Sequence, residues 1–432
     1  MVFQALVYSR PVSKNVPPLE PMATLKLLKS LMFFQLFIFG SFNPIQSLYF
    51  QKYLGFDGTT TGFYLGLAMV LAIISPMLAT SIADRFRATR KVIQVCHLIG
   101  ALGLGIFSSS APIDVQIASF FLFSFIHGPT VGLINTYTFS QIEQPQKQFG
   151  AIRMWGTIGW IAAGYTLSAM VIAGSWLFRL DLQQEQILPW AYRMSALASV
   201  AIVIILNFAP QHEQHAKNKQ HEPHEQPKPL PQESLSDSRV KLRQNKPLIQ
   251  LIAIFFGAGF LDRFYSFGAG PYLVSMNVPE GLVLPALTFG QVLEIPALLL
   301  LGKLITRFST RRVFTAGMAI QVIRYGLLSF FPSIPIILLA LTMNGLVFSL
   351  LYTSAIILMD NLAGPVDRGK VHQISHLLIG GVGGLTGSLL AGWFTDLVSP
   401  FHPRVFWYLP LTGALVLFVI TLVFYHPRES TV

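Results

Sequence analysis

The sequence predicts an all-α membrane protein, with twelve transmembrane helices arranged as two pseudo-symmetric six-helix bundles. Three observations predict it. Of the 432 residues, 53% are hydrophobic and only 11% charged, where a soluble domain carries about a quarter. The apolar residues come in blocks of about 20, the length of a helix that crosses the hydrocarbon core, as in 61–83, 189–209 and 403–425. A hydrophilic stretch divides six such blocks from six, and a cationic motif recurs in each half. A transmembrane β-barrel would instead alternate with period two in segments of about ten residues.

Taken in order, residues 1–23 read as a cytoplasmic N-terminal segment. No cleavable signal peptide is expected, because the apolar run that follows is too long for one; Met22 is an alternative start. Spans fall near 24–50, 61–83, 91–110, 113–140, 150–174, 189–209, 248–275, 283–305, 311–330, 333–359, 371–396 and 403–425. The first six make an N-terminal bundle (24–209) and the last six a C-terminal bundle (248–425), with a cytoplasmic tail at 426–432. With the N-terminus inside, the inner segments and adjoining helix ends hold 23 of the 30 Lys and Arg. That bias sets both termini in the cytoplasm. It also explains the net charge of +11 as topology, with no nucleic-acid partner expected.

Residues 210–247 are a different material, rich in Gln, His, Pro and charge and without aromatics. They bury too little apolar surface to fold alone and read as a disordered cytoplasmic linker. The linker histidines (His212, His215, His221, His224) lack a cysteine or a fixed scaffold beside them, so no metal site is expected. The single cysteine, Cys96, excludes an intramolecular disulfide and reads as a small packing residue.

"ADRFRATRKV" (83–92) follows span two and "ITRFSTRRVF" (305–314) follows span eight, an offset of 222 residues. Parallel halves related by an axis along the membrane normal are the repeat pattern of the major facilitator superfamily. The first motif resembles that superfamily's cytoplasmic signature, Gly-x-x-x-Asp-Arg/Lys. Asp84 and Arg85 fit it as a conformational-gating loop, while Thr80 replaces the glycine. A plain topology anchor is the simpler alternative for a basic inner loop.

Ionisable groups inside spans are costly and are functional candidates by default. In "GAIRMWGTIGW" (150–160), Arg153, Thr157 and Trp160 stand at i, i+4 and i+7 and share one helix face. Lipid cannot satisfy a cation, a hydroxyl and an indole N–H together, so the face is expected to line a cavity. Asn135, in "GPTVGLINTYTF", is a second cavity candidate. In "LTFGQVLEIPALLLL", Gln291 and Glu294 are i, i+3 neighbours that could grip vicinal hydroxyls. Glu294, a carboxylate at membrane depth, could also load and release a proton. Asp262 and Arg263 are adjacent, so their side chains diverge; Asp262 is expected to meet Arg324 or Arg153 instead. His127, His372 and His376 read as hydrogen-bonded structural residues. "HQISH" (372–376) lacks the glutamate of a zinc protease, and no phosphate loop or nucleophile elbow is present, so neither an enzyme nor ATP coupling is expected.

Together these stretches resemble the nucleoside:proton symporter family of the major facilitator superfamily. "PTVGLINT" followed by "IRMWGTIGW" is the more specific part of the match; "SIADRFRATRKVIQVCHLIGA" and the region from "GQVLEIP" to "VIRYGLLSF" extend it over most of the chain. The resemblance implies a proton-coupled importer of nucleosides, working as a monomer in the bacterial inner (plasma) membrane, with the proton as coupling ion and no other cofactor. It implies that Arg153 and Thr157 bond the substrate, that Trp160 (where the family has phenylalanine) stacks on the base, and that Gln291 and Glu294 hold the ribose. The family's span-seven Gln and Asn are replaced in "FLDRFYSFGAGPYL", where Asp262 and Tyr265 are the nearest equivalents. Either Glu294 or Asp262 would carry the proton. The alternatives are a proton-coupled sugar or glycoside symporter, or a transport-inactive receptor on the same fold.

Overall fold

A computed structural model describes residues 22–86, 88–142, 144–178, 187–208, 245–398 and 402–425. Twelve helices among them are long and apolar enough to cross a membrane. They are α1 (Thr24–Tyr53), α2 (Gly58–Pro76), α3 (Thr89–Phe107), α4 (Ile113–Gln141), α5 (Gln148–Gly174) and α6 (Ile187–Asn207). The second six are α7 (Lys246–Ser275), α8 (Glu280–Phe308), α9 (Thr310–Phe330), α10 (Ile334–Ala363), α11 (Val371–Leu397) and α12 (Arg404–Phe424). Each overlays one predicted span, and the helix of α2 runs on to Phe86. The N-terminal segment to residue 21, the predicted linker to residue 244 and the tail from 426 lie outside the described residues.

Local chemistry sets several helix ends. Asp57 accepts from the Thr60 amide at 2.6 Å and caps α2. Hydrogen bonds from the Thr60 side chain and backbone hold its carboxyl below the usual carboxylate range. Asn245 accepts from Leu248 N at 3.2 Å with a proline in the first turn, and α7 starts there. Ser309 turns the chain between α8 and α9 at φ 76°, a left-handed conformation that costs a residue with a Cβ.

Three of the described spans contain 3-10 or π-helical turns. Pro44 falls in a 3-10 turn of α1 (Asn43–Ile45), followed by a π-helical turn, Tyr49–Tyr53. Further π turns occupy Phe348–Thr353 in α10 and Leu377–Val382 in α11. Such turns add a residue and re-aim the side chains around them. Helical turns continue through the connection between α10 and α11, but the chain reverses there as predicted, because His372 returns to within 2.6 Å of Asp360.

The helices group into two compact units. Unit one holds Met1–Gly40, Ile74–Ala163 and Tyr192–Arg239; unit two holds Ser41–Ile73, Gly164–Ala191 and Val240–Val432. In unit one, α1 and α5 touch backbone to backbone. A methyl at Gly40 would lie 2.7 Å from the Trp160 carbonyl oxygen, and one at Gly159 would strike the Phe33 carbonyl. Small residues allow this approach, which drives helix association where lipid removes the hydrophobic incentive.

In unit two, ends of the early spans pack on the later ones. Ser47 of α1 donates to Phe267 O of α7 at 2.6 Å, and Ser168 of α5 donates to Gly281 O of α8. Asp396 of α11 accepts from the Gly58 amide (2.6 Å), the Thr59 amide (2.7 Å) and the Thr59 hydroxyl (2.6 Å), and so caps α2 from another helix. Lys52, at the end of α1, pairs with Glu280, which is 1% exposed at the start of α8. The apolar core of this unit joins Leu251, Ile254 and Phe255 of α7 to Phe314 and Met318 of α9 and to Leu351 of α10. Large apolar side chains such as Leu102, Leu197 and Leu299 stand exposed at 64%, 67% and 77%. Water would not tolerate such a surface on a monomer; lipid solvates it.

Candidate functional site

The polar residues of unit one stand on α5 and α4. Along α5, Ile152, Gly156, Gly159 and Ala163 are buried, while Met154, Trp155 and Ile158 are exposed. Arg153, Thr157 and Trp160 are half-buried between those two faces. The Trp160 indole N–H is buried without a protein hydrogen-bond partner, and so is the amide oxygen of Asn135. Nearby, Gln35 of α1 donates to the Thr130 hydroxyl at 2.8 Å. Buried polar atoms are paired in the great majority of cases, so these two atoms have capacity left for a ligand.

His127 stacks on Phe123 with ring centroids 4.8 Å apart. It meets His97 edge-on at 5.0 Å, and both imidazoles are buried without hydrogen-bond partners. The expectation that His127 is hydrogen-bonded is therefore corrected: it is packed among rings. His372 sits 2.6 Å from Asp360, a carboxylate one helical connection away. Asp84 and Arg85 fall on the last helical turn before Phe86 rather than in a loop; their side chains lie outside the described set.

The polar residues of unit two form one network across four helices. At its centre is Arg324 of α9, a guanidinium with no exposure. Its Nη2 reaches Asp262 Oδ1 of α7 at 3.4 Å and the Tyr325 hydroxyl at 3.2 Å. Its Nη1 donates to the Asn344 amide oxygen on α10. The cation also lies 4.2 Å from the ring centroid of Tyr265 and 4.8 Å from that of Tyr325. A buried charge is tolerable only when paired and hydrogen-bonded, and the two ring faces add cation–π attraction. Tyr325 in turn donates to Leu261 O at 2.8 Å, which ties α9 to α7.

Of the two arginines expected for Asp262, Arg324 is the partner found in this unit. The expected divergence from Arg263 is corrected, since Arg263 Nη2 comes within 3.3 Å of Asp262 Oδ2. A long flexible stem lets a neighbouring guanidinium fold back along the helix.

The network continues to α8 through Asn344 and its neighbour. A methyl on Gly290 would lie 3.2 Å from the Asn344 Cβ, and one on Gly345 would lie 2.5 Å from Glu294 N. Ser349, in the π turn of α10, donates to Glu294 O at 3.3 Å. Only a glycine at 345 lets α10 approach α8 this closely, and the contact seats Glu294. Gln291, one turn before Glu294, keeps a buried amide oxygen without a protein partner, and the Tyr265 hydroxyl is in the same state. Asn344, Gly345 and Tyr325 were not predicted as site residues. The one signal was a lone asparagine before glycine in "LTMNGLVF", a very apolar run.

A model of the nucleoside H+ symporter family matches residues 22–430. The chain belongs to that family. Within reach of this nucleoside H+ symporter family member, the Escherichia coli (strain K12) protein YegT is 27% identical over 86% of this chain and 84% of its own length. The nucleoside permease NupG of the same strain is 23% identical over 86% of this chain and 88% of its own. The crystal structure of nucleoside transporter NupG superposes with a TM-score of 0.77 at 20% identity, covering 94% of this chain and all of that one. The fold is thus the twelve-helix major facilitator fold that the internal repeat predicts. A transporter family and twelve apolar spans make this nucleoside H+ symporter family member a multi-pass membrane protein.

Proposed function

We propose that this chain is a secondary active transporter, not an enzyme, that imports nucleosides together with protons by alternating access. The family match over residues 22–430 carries this reading. Arg153 and Thr157 donate hydrogen bonds to polar edges of the substrate, the Trp160 indole covers the face of the base, and Asn135 contributes a further polar contact. Gln291 and Glu294 hold the ribose hydroxyls; Asp262 and Tyr265 meet the substrate from α7. Asp84 and Arg85 act in conformational gating. The protein works as a monomer in the inner (plasma) membrane, with both termini and the segment 210–247 in the cytoplasm. The proton is its coupling ion and it needs no other cofactor.

Asp262 has its charge balanced by Arg324 at 3.4 Å and Arg263 at 3.3 Å. This supports Glu294, seated by Gly345 and Ser349, as the carboxylate that takes the coupling proton. The carrier reorients only when Glu294 is neutral, so the proton gradient drives uptake. One proton moving through about 100 mV supplies about 2.3 kcal/mol, or about forty-fold accumulation at ~1.4 kcal/mol per decade.

The test is uptake of labelled uridine and adenosine by cells expressing the chain, with and without a protonophore, beside Glu294→Gln. The expected outcome is protonophore-sensitive uptake that is lost in the variant while nucleoside counterflow survives. Loss of both activities would move the proton to Asp262. Absence of nucleoside uptake by a well-expressed wild type would sink the substrate reading.

A further inference from the structure

We infer that Asp262 selects the nucleobase, and that the preferred substrates carry two adjacent N–H donors on the base, as guanosine does. The inference rests on the nucleoside reading above and adds the identity of the base. Its starting point is the hydrogen-bond inventory of the network in unit two. Arg324 is fully buried, and its two terminal nitrogens are occupied by Asp262, Tyr325 and Asn344. It is not available to a ligand.

Asp262 is different. Its side chain is 20% exposed, and an ionised carboxylate is acceptor-only, with about four lone-pair positions on two oxygens. One guanidinium nitrogen approaches each oxygen, Arg324 at Oδ1 and Arg263 at Oδ2. Each oxygen therefore keeps acceptor capacity, and the two guanidinium groups hold the carboxylate in one orientation. Two further groups of this unit keep unspent hydrogen-bonding capacity. Tyr265, three residues on and on the same helix face, has a hydroxyl without a protein partner, and Gln291 offers a bare amide oxygen. Arg263, the Tyr265 hydroxyl and the Gln291 amide also carry donors, but the Asp262 carboxylate is acceptor-only.

A ligand that satisfies it must bring donors. Ribose hydroxyls meet Gln291. For Asp262 the matching feature is a base edge with two neighbouring donors that reach both carboxylate oxygens together. Guanine has such an edge, N1–H beside the 2-amino group. Adenine and cytosine set one amino donor beside a ring acceptor, and uracil sets one N–H between two carbonyls. Each of these would aim an acceptor lone pair at a carboxylate oxygen. Hypoxanthine keeps N1–H and lacks the second donor, so inosine isolates the contribution of the amino group. Arg324 acts here as a positioning residue, through Asp262.

The test is competition against protonophore-sensitive uptake of labelled uridine by intact cells, using unlabelled guanosine, inosine, adenosine, cytidine and uridine. Guanosine is expected to half-inhibit at a concentration at least tenfold below that of inosine. In Asp262→Asn, which offers one donor and one acceptor, the advantage of guanosine over inosine should shrink at least tenfold, whatever the variant's overall rate. Arg324→Lys keeps the charge and loses the fork, and should shrink the guanosine-to-inosine ratio without abolishing uridine uptake. Equal inhibition by guanosine and inosine in the wild type would overturn the proposal, and that arm requires no variant to fold. So would an Asp262→Asn protein in which all nucleosides weaken alike. Either of those results is read against intact uridine uptake by the wild type, whereas failure of the nucleoside reading itself would abolish wild-type uptake of every labelled nucleoside.

Discussion

Trp160 is half-buried on the polar face of α5, and its indole N–H has no protein partner. A side chain held for packing alone would present its N–H to a neighbour, as buried tryptophans usually do. Stacking of an aromatic side chain on a base is worth about 1–3 kcal/mol by alanine substitution. Trp160→Ala should therefore raise the half-saturating nucleoside concentration by roughly five- to 140-fold, and Trp160→Phe should recover most of the loss. A phenylalanine variant as impaired as the alanine one would mean that the indole N–H, not the ring face, is the working part. The periodicity at 153, 157 and 160 was legible because three polar residues in an apolar helix leave few explanations. Asn344 was not legible in the same way. One asparagine in an apolar run looks like any interhelical hydrogen bond until Arg324 is seen donating to it.

At the scale of helices, the Lys52–Glu280 pair joins the end of α1 to the start of α8, with the carboxylate 1% exposed. Removing one partner of a buried ion pair leaves an uncompensated charge, at a cost of about 3–5 kcal/mol. Lys52→Met should lower the detergent-phase melting temperature by several degrees and reduce uptake. The double variant Lys52→Met with Glu280→Gln should recover most of the melting temperature. If the double variant melts as low as the single, the loss is of lysine packing and the charge is incidental. The outcome bears on transport as well, because this pair, the Asp396 cap on α2 and the Ser47 and Ser168 bonds all join early spans to late ones within unit two. A carrier that alternates must break such contacts, and capping hydrogen bonds worth about 0.5–2 kcal/mol each are weak enough to break one by one.

For the whole molecule, the Lys and Arg bias predicts that the stretch 210–247 faces the cytoplasm. Cys96 is buried, so Cys96→Ser should give a silent background for labelling. In that background Gln226→Cys should react with a membrane-impermeant maleimide only after the cells are permeabilised. Ser110→Cys, in the exposed turn between α3 and α4, should react in intact cells. The reverse pattern would invert the topology and, with it, the direction of proton-driven uptake.

The sequence by itself determined the number of spans, the cationic repeat between helices two and three of each half, and the residues worth suspecting. Those properties follow from composition and helical period, which the bilayer enforces locally, since any segment of the right length and polarity must cross or leave it. The tertiary structure alone decided which suspects belong together. Asp262, Arg324, Asn344 and Tyr265 come from three helices up to 82 residues apart in number. Their meeting depends on close backbone approaches such as Gly345 against Glu294, on the π turn of α10, and on a cation buried deeply enough to demand every partner within reach. Pairings of this kind are written in the shapes of facing helix surfaces, and no single helix carries them in its own period.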